Sequence, residues 1–189
     1  MSDNVFSSLQ NHFLLAMPGL QDPNFAHSVI FICDHSPEGA MGLTINQPID
    51  IPMSRIFEQF ELDYTEEKGR EPLFAGGPVQ VERGFVLHRP ANHQWESTLT
   101  ISPEICLTAS SDIIVDIARD RGPPKNLITL GYAGWGAGQL EQELVDNTWL
   151  VTPADPAIIF DMPFTERARA VAASIGIDLD KLSSQPGHA

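Results

Sequence analysis

Residues 28–46 read SVIFICDHSPEGAMGLTIN. The apolar run 28–33 is rich in β-branched and aromatic side chains and predicts a strand covered on both faces. Residues 34–39, Asp-His-Ser-Pro-Glu-Gly, are turn-forming, and 40–46 read as a second strand, so the stretch predicts a hairpin with a long polar loop. Outward from it, 12–17 is an apolar strand stopped by Pro18-Gly19, and 73–75, 84–88, 127–132 and 149–151 are further strands. Segments 98–101 and 104–108 alternate apolar and polar residues, as strands with one wet face do. Four helices are predicted. One is short and capped by Ser54, with Ile56, Phe57 and Phe60 on one side; a second runs from Ser110 or Ser111 to about Arg121; a third covers about 137–145; the last covers about 163–176. Residues 66–71 read as a charged loop. Strands outnumber helices, and hairpins are mixed with helical crossovers, which predicts one α+β domain over 1–189 with a mixed, curved sheet. Its core spans about 11–176, and 183–189 form a frayed tail.

A chain of 189 residues, 42% hydrophobic and 19% charged, is the size and composition of one globular domain. Its net charge is −14, and each half carries −7: 12 acids against 5 bases in 1–94, and 13 against 6 in 95–189. Nucleic-acid binders cluster Lys and Arg because phosphate contacts supply much of their affinity. No such cluster exists here, so direct DNA binding is disfavoured, as is an anionic membrane surface. No apolar run reaches the ~18 residues of a membrane span, and the N-terminus lacks the pattern of a signal peptide, so a cytoplasmic location is expected. Cys33 and Cys106 lie in apolar settings and read as buried thiols. Without a CxxC or paired histidines they define no zinc site, and no metal or cofactor is expected.

The richest candidate for chemistry is 131–140, GYAGWGAGQL, which reads as a glycine-dense turn between strand and helix. It could aim backbone N–H groups at an anion. However, no Lys-Ser/Thr follows, there is no GxGxxG register, and Glu141 and Glu143 occupy the early helix. A tight turn holding Trp135 is the plainer reading, with Gly134, Trp135, Gly136, Gly138 and Gln139 as binding candidates. Asp34 beside His35 invites a hydrolytic reading, but catalytic triads converge from separate elements and no GxSxG elbow is present. His88 and His93 lack a third ligand nearby, which favours a structural hydrogen bond for His88. Gly76-Gly77 reads as a turn, and Arg83 as the partner of one of the many acids.

Four segments taken together, 27–48, 74–79 (FAGGPV), 83–88 (RGFVLH) and 132–141 (YAGWGAGQLE), resemble the AlgH/YqgE family of bacterial proteins from about residue 11 to 175. The resemblance implies a bifurcated sheet folded into a pseudo-barrel and a cytosolic bacterial protein. It brings no agreed catalytic residues. Some family members carry the label of transcriptional regulator; the charge distribution favours an indirect route over DNA contact.

The leading expectation is therefore a non-enzymatic regulatory or interaction protein. It would bind a protein or a small molecule through 134–139, Gly76-Gly77 and the 34–39 loop, with Trp135→Ala abolishing capture and sparing the fold. The alternative is an enzyme with a pocket near Asp34, His35, Arg83 and His88, which requires those side chains to share one cleft.

Overall fold

The computed structural model describes residues 5–20 and 22–183; of the expected tail, all beyond Ser183 lies outside the described residues. The strands are β1 His12–Ala16, β2 Val29–Ser36, β3 Gly39–Thr44, β4 Pro48–Pro52, β5 Pro72–Ala75, β6 Val79–His88, β7 Thr98–Ser102, β8 Ile105–Thr108, β9 Asn126–Gly136 and β10 Trp149–Pro153. The helices are α1 Met53–Gln59, α2 Glu66–Gly69, α3 Asp112–Ala118, α4 Gln139–Val145, α5 Pro156–Phe160, α6 Phe164–Ser174 and α7 Leu179–Ser183. The α+β class is as the sequence predicts, with seven helices among the described residues where four were expected. Residues 66–71 contain a helical turn capped by Thr65, and α5 and α7 are five residues each, too short to show a 3.6-residue period.

All strands form one curled sheet in the order β10-β1-β2-β3-β9-β6-β8-β7, and β4 and β5 branch from it. The branch point is β9. Its residues 126–132 pair with β6 on one edge; its other edge takes β5 in parallel at Thr129 and Leu130, then β3 antiparallel from Ala133 to Gly136. The sheet bifurcates there because Gly76-Gly77, which follow β5, press against β9. A Cβ on Gly77 would lie 2.1 Å from the carbonyl carbon of Tyr132, and Gly131 adopts φ +75 at the crossing, a backbone that favours glycine.

Alternation buries both faces of the central strands. Phe13, Leu15, Phe31 and Leu87 face α5 and α6, while Leu14, Ile30 and Ile32 face Trp135, Trp149 and α4. A third cluster packs Met53 and Phe57 of α1 and the isoleucines of α3 against Val86 and Ile128. Three local expectations are corrected by this packing. Strand β8 is buried at all four positions and has no wet face: Ile105 and Leu107 enter the main core, and Thr108 is bonded to Thr98 and to His88, which packs on Trp95. Helix α1 starts at Met53 after Pro52, so Ser54 is inside it and caps nothing, and Phe60 is 43% exposed. Helix α3 stops at Ala118, and its Ser111 makes no side-chain cap bond.

Candidate functional site

The segment 34–39 is not a loop. Strands β2 and β3 run to within two residues of each other, with His35 opposite Ala40 and Ser36 opposite Gly39, leaving Pro37-Glu38 as the turn. Likewise 131–136 is strand, the end of β9, and only Ala137-Gly138 turn into α4. The two candidate segments lie side by side, since Ala40 pairs with Trp135 and Met41 with Gly134. Cross-strand partners share a face of a sheet. One face of this corner therefore carries His35, Ala40 and Trp135, and the other carries Asp34, Met41 and Gly134, with Ser36, Gly39 and Gly136 beside them.

Helix α4 covers the first face, and its polar groups there are committed. His35 is buried; its Nδ1 accepts the backbone N–H of Leu9 at 2.8 Å, which places the proton on Nε2, and Nε2–H donates to Glu141 Oε1 at 2.6 Å. Burial opposes ionisation of Glu141, but its own backbone N–H and His35 outweigh that and hold the carboxyl below its usual range. Glu143 Oε2 accepts two indole N–H groups, from Trp135 at 2.7 Å and Trp149 at 2.9 Å, while its Oε1 accepts from Gln139 at 3.3 Å. Phe25 stacks on Trp135 and meets Trp149 edge-on. Trp135 is thus a core residue, 6% exposed, and its replacement by alanine would damage the fold rather than spare it.

The second face is open to solvent. Asp34, Gly134 and Gly136 are exposed, and Ser36, Gly39 and Met41 are half-buried around them. The fold does not require glycine at 134 or 136: a Cβ at Gly134 would meet only a Tyr132 ring carbon at an ordinary 3.5 Å, and one at Gly136 only Gln139 Oε1 at 4.0 Å. Gly39 differs, because its Cβ would lie 2.4 Å from the Trp135 carbonyl oxygen. Gly138, with φ +74, sets the left-handed turn into α4, and Gln139 Oε1 accepts the N–H of Gly136 at 3.0 Å. The corner is a strip of nearly bare strand bounded by Asp34 and Met41.

The other candidates lie elsewhere. Gly76-Gly77 are packed under Gly131 and Tyr132 as described. Arg83 sits in the irregular part of β6, where its guanidinium lies 5.1 Å from the centre of the Phe85 ring and 3.5 Å from Gln80 Oε1; among the described residues it pairs with no acid, contrary to expectation. His88 is buried, its Nδ1–H donating to the Arg89 carbonyl at 2.8 Å and its Nε2 accepting from Thr108 Oγ1 at 2.7 Å, and both it and His93 pack edge-on against Trp95. His88 pairs with Asn126 and the His35 row ends on Trp135, so the two histidines are about nine residues of β9 apart, roughly 30 Å. Asp34 and His35 point to opposite faces. The four residues of the enzymatic alternative therefore do not share a cleft. Sequence reasoning missed Met41, Trp149 and the clasp role of Glu143; the available signal was that 132–136 keep strand alternation, with Ala133 and Trp135 inward, through the glycines.

Fold and site together define a small α+β protein on a bifurcated sheet with an open, glycine-floored corner. The AlgH-like family model (DUF179) matches residues 13–180, and the chain belongs to that family. It is 52% identical to a protein of Saccharophagus degradans, covering 97% of this chain and 90% of the relative, and 51% identical to one of Nitrosococcus oceani, covering 95% and 96%. Both relatives bear the name UPF0301 protein. The solution structure of the AlgH protein from Pseudomonas aeruginosa superposes with a TM-score of 0.80 at 46% identity, covering 100% of both chains. A crystal structure of a Corynebacterium diphtheriae protein, at 19% identity, TM-score 0.73 and coverage of 95% and 94%, shares the fold. Among the described residues no helix is long and apolar enough to cross a membrane.

Proposed function

We propose that this is a non-enzymatic interaction protein with a regulatory role, and that its partner lies flat across the open face of Asp34, Met41, Gly134 and Gly136. The observation that carries the reading is the pair of glycines in the last three residues of β9, at positions where neither backbone nor packing demands them. Glycine in a strand weakens it by roughly 0.5–1 kcal/mol relative to alanine and suits a place where another chain's backbone approaches closely. Asp34 on this face, and a molecule of net charge −14, favour a protein partner that presents basic side chains. Regulation then runs through protein contact, and a gel-shift titration with DNA at low salt is expected to stay flat.

A photo-crosslinking residue placed at Glu38, at the exposed tip, should trap one protein in cells. The same probe at Leu99 of β7, at the far end of the sheet, should not trap it. Gly134→Leu, which fills the floor, should abolish the adduct while leaving the folded spectrum unchanged. An adduct that persists in Gly134→Leu discards this face as the binding surface.

A further inference from the structure

We propose that the cleft between β5, the start of β9 and helix α6 binds a small organic carboxylate with an aromatic or branched apolar body, and that Arg167 reads its charge. The cleft has a volume of about 280 Å³; Phe74, Phe160 and Phe164 form walls, Lys125 stands at its mouth, and Arg167 lines its interior. It shares no residue with the glycine-floored corner, so it is a second site, distinct from the partner surface.

Arg167 is the decisive residue. It is only 7% exposed, and its guanidinium lies 5.2 Å from the centre of the Phe74 ring. Nε–H donates to the Ile158 carbonyl at 3.1 Å, and Nη1 donates to the Ile45 carbonyl. A guanidinium has five N–H donors, so two carbonyls leave three. Carbonyls also leave the charge itself uncompensated, and a buried charge without a counter-ion is costly. Burial accordingly pulls the Arg167 pKa down to about 10.

Burial sets this arrangement apart. Acids outnumber Lys and Arg 25 to 11. Arg70, Arg89, Lys125 and Arg169 each pair with a carboxylate at the surface, while Arg55, Arg83, Arg119 and Arg121, which have no acid partner among the described residues, are exposed to water. Arg167, the most deeply placed of these cations, pairs with none among the described residues. A structural clamp for two carbonyls needs only a neutral donor; a guanidinium facing a cleft with aromatic walls fits a planar carboxylate that brings its own apolar body. Lys125, which also lines the cleft, is neutralised by Asp161 at 3.2 Å and leaves Arg167 as the charge that reads the ligand, while Glu71 at the β5 end limits how much anionic charge the cleft accepts and favours a monoanion over a phosphate.

The test is titration of the full chain with sodium benzoate, followed by ¹H–¹⁵N NMR of backbone amides and the Arg167 Nε–H. Inorganic phosphate and benzyl alcohol serve as comparison ligands. Saturable shifts are expected at Arg167 Nε–H and at residues 125–128, with benzyl alcohol and phosphate each at least about tenfold weaker than benzoate. Arg167→Lys keeps the charge and loses the fork, and should weaken benzoate by about tenfold or more. Should that variant not fold, Phe164→Trp narrows the cleft from a half-buried wall and should weaken benzoate similarly. The proposal is overturned by an absence of saturable shifts up to roughly 50 mM benzoate, an affinity range too weak for a built site. Equal binding of benzyl alcohol overturns it too, as does tighter binding of phosphate or undiminished benzoate affinity in a folded variant.

Discussion

Gly77, which packs on Tyr132 of β9, and Gly134, two residues further along that strand, have opposite meanings. At Gly77 a methyl would collide with the backbone of Tyr132, so Gly77→Ala should cost about 2–4 kcal/mol, the range of a forced backbone shift. At Gly134 the methyl meets an ordinary contact, and Gly134→Ala should be neutral or stabilising by up to about 1 kcal/mol. Urea denaturation of both variants checks the contrast, and a loss of more than 1 kcal/mol in Gly134→Ala would contradict it. Composition marks both residues as glycine and says nothing of this difference, which depends on what a distant strand places above each one. His88 makes a second prediction at this scale. Burial, partly offset by the Arg89 carbonyl, lowers its pKa below the ordinary 6.5. Just below pH 6.5 the unfolded chain binds this proton and the folded chain does not, so stability falls as pH drops from that value toward the folded pKa. His88→Gln should therefore flatten the stability profile between about pH 7 and 5, once its own constant loss is subtracted.

At the scale of elements, β9 and α4 are coupled through Glu143, whose carboxylate holds two indoles at once. Glu143→Ala leaves both N–H groups without an acceptor beside two buried rings and should cost about 2–4 kcal/mol, with an altered tryptophan emission; Glu143→Gln, which keeps one acceptor oxygen, should cost less. If Glu143→Ala melts like the parent, the clasp contributes nothing. Elements are also where the sequence reading was least complete. The apolar centres of β1, β2, β5, β6 and β9 were legible because burial on both faces writes an unbroken apolar run. Their ends were not: 34–36 and 131–136 carry Asp, Ser and Gly, which locally mean turn, and they are strands only because β2, β3 and β9 pair with one another there. Strand β4 alternates only over Ile49-Asp50-Ile51 between two prolines and pairs only with β5, too short a run to stand out from a loop.

At the scale of the whole molecule, the α+β class followed from the balance of strands and helices, and the bifurcation came from the family resemblance; no local pattern announces that β5 will lie parallel to β9. Of the candidate site, the right segments were legible as unusual, while their convergence into one open face, and the separation of His88 and Arg83 from it, are properties of register. The sharing of β9 by both halves of the sheet has a consequence for how the protein comes apart. Neither half can release its strand without stripping the other, so cooperative unfolding in a single step is expected. The three tryptophans allow this to be measured: Trp135 and Trp149 pack in the β1–β2 half, Trp95 beside α3 in the other. Variants retaining only Trp95 or only Trp149, with phenylalanine filling the place of the other indoles, should give coincident transitions by fluorescence and circular dichroism within each variant. The amides of β9 that bond to β3 and β6 should exchange with solvent only through that same global opening.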